Sequence, residues 1–234
     1  MASTTTSSAV PHSLSTDDKQ RLRRSGWLLI ASFAGFVLFV ATLIVTGNGY
    51  DDALSEVAKQ RGVGLNDLPA EAIAPVNHEY NEIWSGILPL CVIMVALGVY
   101  VAGVRLATTL REAGALGRVA VAAAAVMPVC WIVVFALEYS IGIDHPGRWL
   151  KVYDTLYDPA IALSTVAGSL ALIGVIVVLR RAAVARRTGV VVAVLTVPVL
   201  VAAVAFGAPP VVPLLLAAIV GIVMVRTARS AVTA

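Results

Sequence analysis

Residues 188–225 read TGVVVAVLTVPVLVAAVAFGAPPVVPLLLAAIVGIVMV. No charged side chain interrupts them. A bilayer core about 30 Å thick is crossed by roughly 20 helical residues rising 1.5 Å each, so this run is too long for a single crossing. Gly207, Ala208, Pro209 and Pro210 stand near its middle. Adjacent prolines cannot continue a helix, because each lacks the N–H donor and its ring clashes with the preceding turn. The run therefore divides into two spans, 188–206 and 211–225, joined by a tight turn. Both halves are slightly short, and a re-entrant pair is the competing arrangement.

Four further charge-poor runs precede it, at 26–47, 84–104, 119–139 and 159–179. The fold expected is an all-α, multi-pass transmembrane bundle of six spans, and an even number places both termini on one side. Composition agrees: 59% of residues are hydrophobic, 13% are charged, and the mean hydropathy is +0.90. Water-facing domains carry about a quarter charged residues, so this chain could not cover a soluble surface.

The charges orient the bundle. With the N-terminus inside, all but four of the 17 basic residues fall in inner segments, the exceptions being Lys59, Arg61, Arg148 and Lys151. Basic residues are retained on the cytoplasmic side, and every inner segment agrees with that rule. Most of the 14 acids fall outside. The net charge of +3 accordingly reads as an insertion signal, and no nucleic-acid partner is expected. Tyr50, Tyr80, Trp84, Tyr139, Trp149, Tyr153 and Tyr157 mark an outer aromatic belt, and Trp27 and Tyr100 an inner one. Both termini are thus expected in the cytoplasm. Much Ala, Val, Gly and Arg with little Lys suggests a bacterial chain and its cell membrane.

Residues 1–25 are Ser/Thr-rich and polar and read as a disordered cytoplasmic tail, with 227–234 as a second tail. The apolar run after Arg24 is longer than a signal-peptide core and shows no small-x-small cleavage site, which favours an uncleaved first helix. Cys91 and Cys130 lie inside apolar runs without any CxxC and are expected to be packing thiols.

Two outer loops are long enough to hold structure. Residues 48–83 form an expected cap: Asp51 and Asp52 start a short helix through Gln60, Gly62 and Gly64 end it, and Asn66-Asp67-Leu68-Pro69 starts another. In 146–158, Trp149, Tyr153, Leu156 and Tyr157 recur at helical spacing and predict a short interfacial helix, with Pro159 opening the fourth span.

Candidate chemistry gathers on the outer side. His78 and Glu82 are four apart, a spacing that places two ligands on one helix face. Glu138 ends the third span, and His145 follows Asp144. Imidazoles and carboxylates are ordinary ligands, so His78, Glu82, Glu138 and His145 together could hold a divalent metal. The bland alternative is that these groups simply solvate a wet loop, and then no cofactor is present. A zinc hydrolase would want a third histidine, and His12 lies in the inner tail. Glu138 is the acid closest to the bilayer core, where ionisable groups are costly and often functional.

Pro89, Pro128 and Pro198 should kink their spans, and Ala31/Gly35, Ser164/Gly168 and Ala217/Gly221 should let helices approach closely. The sequence has no phosphate-binding loop, dinucleotide fingerprint, GxSxG or CxxCH. The expected role is a non-catalytic bundle acting in a membrane assembly, in lipid binding or in envelope maintenance. Its partners would be the lipid bilayer and another membrane protein or a second copy. The competing roles are a transporter or channel component with a path near Glu138, and an outer-face metal enzyme.

Overall fold

The structure, a computed structural model, describes residues 15–47, 49–64, 67–80, 83–109, 114–141, 146–181 and 211–230. These residues form seven helices: α1 (Thr16–Gly47), α2 (Tyr50–Arg61), α3 (Ala70–Tyr80), α4 (Ile83–Thr108), α5 (Gly114–Ile141), α6 (Pro146–Arg181) and α7 (Val211–Ser230). Five of them, α1 and α4 to α7, are long and apolar enough to cross a membrane, which supports an integral membrane protein. The expected span at 188–206, with its Pro198, lies outside the described residues.

α1 begins at Thr16, so it takes in residues 16–25, which the sequence reading assigned to a disordered tail. A reciprocal cap explains the early start. The Ser15 hydroxyl accepts the Asp18 N–H at 3.1 Å and donates to the Asp18 carboxylate at 2.6 Å. Asp17 and Asp18 also place negative charge on the first turn, where the helix dipole favours it.

The segment between α1 and α4 follows its turn chemistry. α2 stops where Gly62 adopts φ +67°, a left-handed conformation that glycine enters without a Cβ penalty. The Val63 N–H then closes onto the Ala58 carbonyl at 3.1 Å. Beyond Pro69, α3 folds back so that Ala58, Leu68 and Ala72 make a small core with Leu54, Val57 and Ile73. α3 also touches α6, which seats this helical pair against the bundle.

α6 corrects a second expectation. The interfacial helix at 146–158 and the span at 159–179 are one continuous helix of 36 residues, with Pro159 inside it. Proline in a helix interior forfeits one hydrogen bond to the carbonyl four residues earlier, and long membrane helices tolerate this. The aromatic i, i+4 spacing before Pro159 and the apolar run after it share one helical phase. At 1.5 Å per residue α6 is about 54 Å long, well beyond a bilayer core. Its Tyr157, Ala160 and Ile161 pack against the main core.

In the bundle α1 lies between α4 and α7, α5 lies between α4 and α6, and α6 meets α7 and α4 to close the ring. Close glycine contacts fix the directions. A Cβ on Gly35 would lie 2.9 Å from Ala96, and one on Gly103 would meet Leu28 and Leu29, so α1 and α4 are antiparallel. Gly174 faces Ala120 and Gly168 faces Met127, so α5 and α6 are antiparallel. Gly26 faces Gly221, Met224 and Val225, while Gly221 faces Leu29 and Ile30, so α1 and α7 are antiparallel as well. Phe39, late in α1, stacks edge-on against Trp131, late in α5, at 5.4 Å. α1 and α5 therefore run one way, and α6 and α7 both run the other way. α6 ends, at Arg181, at the same end of the bundle as α1 starts, whereas α7 begins at the opposite end.

Candidate functional site

The four candidate metal ligands are placed in part. His78 sits in the last turn of α3 and is exposed, with Glu79 exposed beside it. Glu138 belongs to the last turn of α5, which ends at Ile141. Glu82 and His145 lie outside the described residues. Among the described residues no three His, Cys, Asp or Glu side chains gather as a metal-ligand set.

The bundle interior carries a second, neutral set of polar groups that the sequence reading did not assemble. Tyr100, expected in the inner aromatic belt, is instead fully buried, and its hydroxyl donates to the Gly168 carbonyl at 2.8 Å. This ties α4 to α6. The Ser25 hydroxyl donates to the Gly103 carbonyl at 2.8 Å and ties α1 to α4. Without water to compete, such bonds link helices whose apolar faces alone give little preference for one another over lipid.

The antiparallel register of α5 and α6 puts Trp131 and Ser164 at the same level. Met127 meets Gly168; one turn later on α5 comes Trp131, and one turn earlier on α6 comes Ser164. Trp131 also joins a ring cluster with Phe39 and Phe135, the latter at 5.8 Å between centroids. The indole Nε1 of Trp131 and the hydroxyls of Ser164 and Ser169 are buried without a protein hydrogen-bond partner. Thr165 is buried too and donates to the Ile161 carbonyl of its own helix at 3.3 Å.

This interior can therefore orient a neutral donor or acceptor. Among the described residues the Asp, Glu, Lys and Arg side chains of the spans lie toward the ends, and the buried interior holds the Tyr100 phenol and the Cys130 thiol. One signal for it was in the sequence, the Ser164/Gly168 pair at close-packing spacing. The two cysteines differ: Cys91 is exposed on α4 and Cys130 is buried in α5. No protein-family model matches the chain, and no curated protein or solved structure matches it.

Proposed function

We propose that the protein is a six-span protein of the bacterial cytoplasmic membrane with both termini in the cytoplasm. In this reading it serves as a non-catalytic bundle in a membrane assembly, in lipid binding or in envelope maintenance. The observation that carries the role is the filled interior. Leu29, Ile93, Leu97, Met127, Leu172 and Met224 are each at most 1% exposed, and glycines seat neighbouring helices at backbone contact. The six-span count draws support from direction. α6 and α7 run the same way, as two spans separated by one further span would. Orientation draws support from the exposed arginines at the end where α1 starts, Arg24, Arg105, Arg118, Arg181 and Arg229 among them.

Metal analysis of the purified protein, beside a Glu138→Gln variant, tests the role. The bundle reading expects no stoichiometric divalent metal and no change of phenotype in the variant. A bound metal lost in Glu138→Gln would favour the outer-face enzyme. A transport component is the second reading, and the buried hydroxyls of Ser164 and Ser169 favour it. It expects a Ser164→Cys thiol to react with small hydrophilic reagents, whereas a closed bundle expects protection.

A further inference from the structure

We propose that the outward side of the α1/α7 groove, at the end where α1 starts, is a binding site for the phosphate of an anionic phospholipid headgroup. Arg23 and Arg229 hold the phosphate, and the acyl chain lies along α7. The proposal rests on the membrane reading above and names one ligand for it.

The groove is set by the Gly26–Gly221 contact. A Cβ on either glycine would come within 2.6 Å of the other's carbonyl oxygen, so the two backbones touch. In the antiparallel register this gives, with Gly26 beside Val225, Arg23 stands level with Ala228 and Arg229. Leu22 and Ala228, both buried, close the groove at that level. At 100° per residue, Arg23 and Arg229 each sit just off the contact line of their helix, turned toward the same side. That side carries Trp27, one turn from Arg23 and 49% exposed. Arg23, Arg226 and Arg229 are themselves exposed.

Above these arginines the exposed face of α7 is an apolar track. Leu215, Ile219 and Ile222 are 42%, 37% and 42% exposed and lie one above another at helical spacing, and the next position on the stripe is Arg226. A charged head on an apolar track, with an indole at the boundary, matches the layout of a phospholipid of opposite charge. Guanidinium forks suit phosphate oxygens, which they grip by paired hydrogen bonds. Among the described residues no acid pairs with Arg23 or Arg229. Asp17 and Asp18 lie more than a turn farther along α1, and Asp18 is engaged by Ser15.

Binding of phosphatidylglycerol and phosphatidylcholine with identical acyl chains, measured on the full chain in neutral detergent by native mass spectrometry, tests the site. Phosphatidylglycerol should bind about tenfold more tightly, since each basic residue near a headgroup surface contributes several-fold. R23Q/R229Q should remove most of that preference, R23K/R229K should keep part of it, and K59Q/R61Q on α2 should leave it unchanged. Equal binding of the two lipids overturns the proposal, and so does an equal loss in K59Q/R61Q. Full competition by millimolar inorganic phosphate also overturns it, in favour of a plain anion site. A chain released from membranes without detergent would instead fail the membrane reading, and unaltered helicity of the variants separates that failure from loss of the site.

Discussion

Tyr100 and Gly168 join α4 to α6 at the centre of the bundle, through a 2.8 Å hydrogen bond from the phenol to a main-chain carbonyl. The same glycine receives Met127 from α5, whose Sδ would lie 2.7 Å from an added Cβ. With Pro213 of α7 also 3.4 Å from that Cβ position, four helices meet at one residue without a Cβ. Tyr100→Phe keeps the ring and removes only the donor, and interhelical bonds of this kind contribute about 0.6 kcal/mol on average in membrane proteins. Reversible unfolding in mixed micelles should show a loss of about that size. Gly168→Val, which drives two methyl groups into Met127, should cost clearly more.

The glycines divide into two predicted classes. Gly221→Ala places a methyl 2.5 Å from the Gly26 carbonyl and must push α1 and α7 apart. A loss of about 1–3 kcal/mol is expected for such overpacking. Gly98 lies in α4, is exposed, and has nothing within 4 Å of where a Cβ would sit. Gly98→Ala should therefore be neutral or slightly stabilising, since alanine is the better helix former. Thermal unfolding of the two variants side by side checks both signs.

Thiol labelling reads the burial of α4 and α5. Cys91 is exposed on an apolar face and Cys130 is buried. A membrane-permeant maleimide should modify Cys91 in the folded protein and reach Cys130 only after denaturation. Equal rates at the two sites in the native state would contradict the packing of α5 against its neighbours.

The spans were legible because a bilayer allows few solutions: long charge-poor runs must be helices, and 84–104, 119–139 and 211–225 all fall inside observed ones. Gly62 announced the end of α2 for an equally local reason, the left-handed conformation that closes a helix. Boundaries set by competition between signals were less legible. Pro159 can open a helix or sit within one, and only the matched phase of its two flanks decides for the single helix α6. Ser15 is compositionally one more polar tail residue, and only its pairing with Asp18, three positions on, makes it a cap. Tyr100 resembled an interfacial tyrosine because its distance from Arg105 suits one, and nothing local reveals that Gly168 lies opposite. Of the outer candidates, His78 and Glu138 proved to sit in the last turns of α3 and α5. Convergence of such groups depends on loop paths, which carry no periodic pattern.

The even-span topology is tested most directly by single cysteines at Gly62, Arg181 and Ser230, in a chain whose Cys91 and Cys130 are replaced by alanine. A membrane-impermeant maleimide is added to intact cells and then to permeabilised ones. The six-span account predicts that position 62 is labelled from outside, while positions 181 and 230 are labelled only after permeabilisation. Labelling of 181 and 230 from opposite sides would contradict it.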